Sequence, residues 1–189
     1  MTPISGKEAE KDGVLAAAKL MAISARTAPK TRGLDSVRVV ILQEPDELEK
    51  LAAAMEEVSR KDPERLAFFR RNADDVRKSA AVLLIGVTGE PKRLESPLNC
   101  GACGMDCAAM SKARKKERGT ARGPICHMQS IDLGISLSSA VKAASDLGID
   151  NRIMYSVGAT SRIIKLMDAD LVIGIPLSAT GKNPYFTGR

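Results

Sequence analysis

The sequence predicts a layered α/β (α+β) domain, and three observations lead there. Short β-branched runs alternate with longer segments of helical period. One of those runs, AAVLLIGV from Ala80 to Val87, is apolar without interruption, as expected of a strand covered on both faces. Between about Ser96 and Ile125 the composition shifts sharply from apolar to Cys, Gly and basic residues, which marks an insertion.

The elements follow in order. Between Gly13 and Arg26, VLAAAKLMAISA sets Leu15, Ala18, Ala22 and Ile23 near one face of a first helix. Pro29 and Gly33 break it, and SVRVVILQ reads as the first strand. Glu44-Pro45-Asp46 opens a second helix with Leu48, Leu51, Met55 and Val58 as its buried stripe. Asp62-Pro63 is expected to start a third, carrying Leu66, Phe68 and Phe69 and ending near Asp75, with Asp74 and Asp75 on a solvated face. The apolar strand from Ala80 stops at Thr88-Gly89. After the insertion a long helix spans roughly Met128 to Leu147, with Leu133, Leu137, Val141 and Ala144 at helical spacing and Gly148 placed to end it. NRIMYSVG is expected to be a strand, TSRIIKLM a short helix and DLVIGIPL the last strand.

A chain of 189 residues, 44% of them hydrophobic, suits one domain over 1–189 with the segment 96–126 inserted in it. Aromatics make up only 3% and Trp is absent, so the interior is packed from Ala, Leu, Ile, Val and Met. No apolar stretch approaches the roughly 20 residues that cross a bilayer, and the start of the chain has no secretory pattern. A cytoplasmic protein is expected, where thiols stay reduced and clustered cysteines more often bind metal than pair. Much of the formal charge of +6 sits in SKARKKERGTAR, Ser111 to Arg122. That segment reads either as a solvated loop or as a docking surface for an acidic partner; without interleaved aromatics it is a poor platform for single-stranded nucleic acid.

All four cysteines belong to one constellation: Asn99-Cys100-Gly101-Ala102-Cys103-Gly104-Met105-Asp106-Cys107, then Cys126 in GPICHM after eighteen further residues. Three thiolates within eight residues wrap a compact cofactor while the fourth returns from a longer loop. Gly101 and Gly104 permit left-handed backbone and close approach of amides to sulfide. An iron–sulfur cluster is the first reading, because it takes four thiolates at irregular spacing. Zinc also takes four cysteines, though its structural sites usually offer two paired knuckles and only Cys100 and Cys103 form one. Free or redox-exchanging thiols are the third. His127, beside Cys126, is expected to be a polar residue opening the next helix, with a hydrogen bond to a sulfide as the functional alternative. Met105, Met110 and Met128 read first as gap-fillers and second as shields for a cluster. No Walker loop, G-x-G-x-x-G turn or Ser-His-Asp set assembles.

NCGACGMDC followed by GPIC resembles the four-cysteine 4Fe-4S domain of the ferredoxin subunit of Rnf-type electron-transport complexes and of corrinoid iron–sulfur proteins. Those carry one more residue between the second and third cysteines. The resemblance implies Cys100, Cys103, Cys107 and Cys126 as ligands. Nearly the whole chain, including MAISARTAPKTRGLDSVRVVIL and the long C-terminal helix, resembles a prokaryotic family described as ferredoxin-domain proteins.

The order SARTAPKTRG, VRVVILQEPDELEKLA, AVLLIGV, DLGISLSSAVKAASDLGID and LVIGIPL is also similar to FMN-dependent nitroreductases. That resemblance implies a nitroreductase-like sheet flanked by helices, FMN as a second cofactor, and a homodimer. Ala28 and Pro29 match the family's flavin-bordering turn, Lys30 stands where it has serine, and its arginine-rich phosphate motif has no clear counterpart. Arg26, Lys30 and Arg32 read either as a phosphate clamp or as an exposed basic turn; Lys182 and Arg189 carry the same two readings. Together these features lead to an iron–sulfur electron-transfer protein, with an FMN-dependent oxidoreductase of unknown substrate as its enzymatic form, served by an acidic ferredoxin or flavodoxin. The rival readings are a zinc- or cluster-stabilised binding module using the 111–122 loop, and a scaffold that has lost FMN and kept the cluster.

Overall fold

The structure is a computed structural model that describes residues 3–118 and 120–186; Arg189 lies outside the described residues. Helix α1 (Gly6–Thr27) begins seven residues before the expected Gly13. Ser5 accepts from the Glu8 amide while the Glu8 carboxylate accepts from the Ser5 amide, a reciprocal cap that starts the helix upstream of its apolar stripe. A 3-10 turn (Thr31–Gly33) leads into β1 (Val37–Leu42), then α2 (Pro45–Lys61), α3 (Ala67–Arg77) and β2 (Ala81–Val87). Helix α3 starts later than expected. Asp62 to Leu66 closes as a turn, with the Leu66 amide donating to the Asp62 carbonyl at 2.8 Å and the Arg65 amide to the Asp62 carboxylate at 3.1 Å.

The segment after β2 forms α4 (Cys107–Lys112) and the hairpin β3 (Lys116–Arg118) and β4 (Ala121–Gly123). The chain then continues through α5 (His127–Asp146), β5 (Asp150–Asn151), α6 (Tyr155–Ile163) and β6 (Leu171–Ser178). The main sheet has the order β1-β2-β6-β5 and every neighbouring pair is antiparallel, with Val39 opposite Ile85 and Leu83 opposite Ile175. The mixed α/β architecture is therefore a sheet flanked by helices on both faces.

Strand β2 shows why its sequence is apolar throughout. Ala81, Leu83, Ile85 and Val87 pack against Val14, Ala18 and Met21 of α1 and Leu133 and Leu137 of α5. Val82 and Leu84 point the other way, into Leu48, Leu51 and Met55 of α2, Val76 of α3 and Val157 of α6. Full burial of this strand needs no parallel sheet, only cover on both sides.

Residues 151–158 correct the sequence reading: apart from Asn151 in β5 they form no expected strand, and the helix begins at Tyr155. The cause is a contact between backbones. A Cβ on Gly158 would stand 2.1 Å from the Val172 carbonyl oxygen, and one on Gly174 would stand 2.2 Å from Val157 Cγ1. Two glycines thus let α6 lie directly on β6, and the apolar residues Met154 and Val157 serve a helix face instead of a strand face. Asp75 also departs from expectation, being fully buried in α3 rather than solvated. Among the described residues no helix is long and apolar enough to cross a membrane.

Candidate functional site

The cysteine loop is shaped by left-handed backbone at Asn99, Gly101 and Gly104, with φ values of 45°, 71° and 81°. No atom lies within 4 Å of where a Cβ would sit on Gly101 or Gly104, so the turn is open on that side. The Gly104 amide closes it by donating to the Gly101 carbonyl at 2.8 Å. Asn99 accepts from the Cys107 amide at 2.9 Å, joining the two ends of the motif. Cys107 is the first residue of α4, whose cap is Asp106, accepting from the Ala109 amide at 2.7 Å. Met110 of the same helix is buried, which pins α4 to the body of the protein.

Cys126 is the N-cap of α5, with His127 exposed as the first residue of that helix. The Cys126 amide donates to the Gly89 carbonyl at 2.8 Å, just beyond β2, and Ile125 packs against Gly89. Cys126 is 8% exposed whereas Cys100 is open to solvent, with Cys103 and Cys107 half-buried between these extremes. All four are free thiols. Cys103 Sγ lies 3.6 Å from the Met105 carbonyl oxygen. Among the described residues no three Cys, His, Asp or Glu side chains converge on a point that would hold a metal ion. The donors nevertheless suit an iron–sulfur cluster: four unpaired thiols, three of them on a loop with open space beside its glycines.

The return path from Cys107 to Cys126 is fastened by a buried carboxylate. Asp170, at the start of β6, has no solvent exposure and accepts from Lys115 through Oδ2 and from Arg122 through Oδ1. Lys115 also donates to the Thr88 carbonyl at 2.6 Å and pairs with Glu90. Burial works against the lysine's charge, but Asp170 and Glu90 outweigh it and hold its pKa above the usual lysine value. Arg162 of α6 reaches the hairpin as well, donating to the Thr120 carbonyl at 3.0 Å and pairing with Glu117. The basic run is therefore divided: Lys115 and Arg122 are structural, while Lys112, Arg114 and Lys116 face solvent.

The expected phosphate residues are also accounted for. Arg26 pairs with Asp35 at 2.7 Å, and Lys30 approaches the same carboxylate at 3.9 Å. Lys30 is enclosed, and its Nζ faces the carbonyls of Ala25, Arg26 and Ala28 at 3.1, 2.5 and 2.8 Å. Three ammonium protons meet three carbonyls at the C-terminal end of α1, so Lys30 caps that helix and is not an exposed basic turn. Burial lowers its pKa, against the opposing pull of Asp35 and Asp132. Arg32, with φ of 59°, turns instead to Ser96, meeting its carbonyl at 2.5 Å and its hydroxyl at 3.1 Å. Beside α1 and β1 lies an open groove of about 560 Å³ lined by Ala22, Ile23, Val39 and Ile41, with Arg26 and Asp35 also on its wall. Lys182, exposed in the C-terminal segment, is outside all these clusters.

Sequence reasoning passed over a second buried ion pair. Lys92 meets Asp132 of α5 at 2.7 Å, and Asp132 Oδ1 accepts from the Thr31 amide at 2.8 Å and the Thr31 hydroxyl at 2.9 Å. Next to it Gln129 accepts from Ser36 at 2.7 Å and donates to the Glu90 carbonyl at 2.9 Å. Gln129, Asp132 and Ser136 interrupt the apolar stripe of α5 at helical spacing, and that interruption was the available signal.

The model of the family described as uncharacterized proteins containing a ferredoxin domain matches residues 122–187. An uncharacterized protein of Archaeoglobus fulgidus is 45% identical over 184 residues, covering 97% of this chain and 96% of that protein. Among solved structures, a BluB-like flavoprotein from Clostridium difficile 630 aligns with a TM-score of 0.56 at 12% identity, over 100% of this chain and 86% of that one. A nitroreductase family protein from Clostridium novyi NT gives 0.52 at 14% identity, over 95% of this chain and 77% of that one. The NADPH:FMN oxidoreductase from Vibrio harveyi, solved with NAD+, gives 0.53 at 13% identity; all of this chain aligns, over 65% of that one. Identities this low speak to the fold alone. The chain belongs to the ferredoxin-domain protein family and has a nitroreductase-like fold.

Proposed function

We propose that this protein transfers electrons through a 4Fe-4S cluster held by Cys100, Cys103, Cys107 and Cys126. The observation that supports the reading is that all four cysteines are free thiols in the one segment between β2 and the start of α5, with Cys126 tied by its amide to Gly89 just beyond β2. When bound, such a cluster accepts and releases single electrons. The chain's own residues then have three tasks. Gly101 and Gly104 leave room for the loop to fold about the cluster, Met110 anchors α4, and Gly89 fixes Cys126 through its amide. Iron and acid-labile sulfide in anaerobically purified protein test this, with about four of each per chain expected for a cluster of this type. One zinc per chain without sulfide would refute it.

FMN is the second cofactor we propose, supported by the nitroreductase-like fold and by the arginines near the 28–33 turn. Arg26 and Arg32 would bind its phosphate by exchanging Asp35 and Ser96 for it, while Lys30 keeps the turn in shape. Flavin released on denaturation, and its loss in R26Q/R32Q, is the expected result. The exposed Lys112, Arg114 and Lys116 form the proposed docking face for an acidic ferredoxin or flavodoxin. Exposed Leu20 and Ile23 on α1 and Ile131 and Ile135 on α5, two helices that pack together, support a homodimer measurable by light scattering.

A further inference from the structure

We infer that Asp170 is the positioning residue for the fourth thiol: its buried carboxylate holds the Cys107–Cys126 return segment so that Cys126 stays buried beside Gly89 at the end of β2. This deepens the cluster reading and rests on it. Asp170 sits at the start of β6, where its amide donates to the Val87 carbonyl at 2.8 Å and its carbonyl accepts from the Arg122 amide at 3.0 Å. Its backbone is therefore tied to the end of β2 and to β4, and its side chain has two cations from one hairpin. Lys115 immediately precedes β3 and Arg122 lies in β4, so one carboxylate grips both limbs. Cys126 follows Arg122 by four residues, and its own amide is bonded to Gly89.

The eighteen residues between Cys107 and Cys126 make a long loop to close, and besides Asp170 it is Arg162 of α6 that ties the hairpin tip, further from Cys126 than Arg122 is. With the grip in place, Cys126 is the one buried thiol of the four. The other three are exposed or half-buried on a loop tied by Asn99 and by Gly101, and the buried Lys92–Asp132 pair holds only its entry, eight residues before Cys100. Asp170 touches no thiol, so it acts through the hairpin.

Two variants test the assignment. D170N removes the charge that holds both cations; K115M removes one cation and leaves Asp170 paired with Arg122. In metal-free protein, alkylation of each cysteine by a maleimide is followed by mass spectrometry. Cys126 is expected to react slowest in the wild type. Its rate should rise at least tenfold in D170N and by less in K115M, while Cys100, Cys103 and Cys107 and the amide exchange of β2 stay unchanged. After anaerobic reconstitution, paramagnetic resonance of D170N should show the three-iron form in place of part of the four-iron form, and D170E should restore four. A merely structural role would lower total iron without changing cluster type.

The inference is overturned if Cys126 keeps its wild-type rate in folded D170N, or if D170N unfolds and K115M keeps that rate. It is equally overturned if D170N loses total iron with no three-iron form. Wild-type protein that takes up no iron and sulfide would instead refute the cluster reading, leaving the alkylation result to decide Asp170's hold on Cys126 by itself.

Discussion

Replacing Lys92 by methionine keeps the aliphatic stem and removes the ammonium that meets Asp132 at 2.7 Å. The side chains are 8% and 1% exposed, so the carboxylate left behind has almost no access to water. Breaking a buried pair from one side costs about 3–5 kcal/mol. Asp132 Oδ1 keeps both bonds from Thr31, at 2.8 and 2.9 Å, which places the expected loss near the lower end, about 3 kcal/mol, or roughly 150-fold in the folding equilibrium. D132N should cost less, about 2 kcal/mol, because the amide oxygen still accepts from Thr31 and the ammonium still donates to the Leu34 carbonyl at 2.5 Å. The double variant should be more stable than the sum of the singles predicts, since neither charge is then stranded. Urea unfolding followed by circular dichroism, extrapolated linearly, reads all three values. A K92M protein within about 0.5 kcal/mol of wild type, or strict additivity in the double variant, would refute the argument that these groups depend on each other.

Other perturbations probe different parts of the molecule. Gly158→Ala places a Cβ 2.1 Å from the Val172 carbonyl oxygen, so α6 must lift from β6; a loss of about 1–3 kcal/mol in the same unfolding assay is expected. Burial raises the pKa of the Tyr185 phenol, despite the lowering effect of its hydrogen bond with Ser79. Its stabilising contribution is therefore present below about pH 10, where the unfolded phenol begins to ionise, and is lost as pH rises further. Tyr185→Phe should flatten the alkaline limb of a stability–pH curve, and an unchanged limb would contradict this. Changing Lys112, Arg114 and Lys116 to glutamine should slow reduction by an acidic ferredoxin or flavodoxin and weaken its salt dependence in stopped-flow traces; unchanged rates would remove this face as the dock.

What the sequence discloses depends on whether the deciding interaction is local. Strands β1, β2 and β6 are legible because apolar runs bounded by turn residues announce themselves, and α2 because Pro45 and the acidic first turn mark its start. The true start of α1 was also written locally, as Ser5 and Glu8, but its apolar stripe begins only at Val14. Helix α6 was not legible. Its identity turns on Gly158 meeting a strand that lies fourteen residues further along the chain. Asp75 likewise looks like its neighbour Asp74, and only tertiary packing separates the buried one from the exposed one. The cysteine motif was readable from spacing, whereas its supports were not. In SKARKKERGTAR nothing distinguishes Lys115 from Lys116; the buried Asp170 just before β6 makes one structural and leaves the other in solvent.

Asp132 and Asp170 then have a common logic. Each is a nearly inaccessible carboxylate on the scaffold, one on α5 and one immediately before β6, and each takes a lysine from the segment that follows β2. Lys92 lies before Cys100, and Lys115 lies between Cys107 and Cys126. Buried pairs of this kind add little stability over apolar packing, yet they demand one geometry. The cysteine segment is therefore fixed at its entry and on its return, while the Cys100–Cys107 loop between those points keeps open space beside its glycines. The scaffold's hold is thus strongest on Cys126, whose amide is bonded to the end of β2. Because cluster potentials respond to hydrogen bonds around the sulfurs and to solvent exposure, the buried Cys126 side is where the fold would set the potential of the proposed cluster.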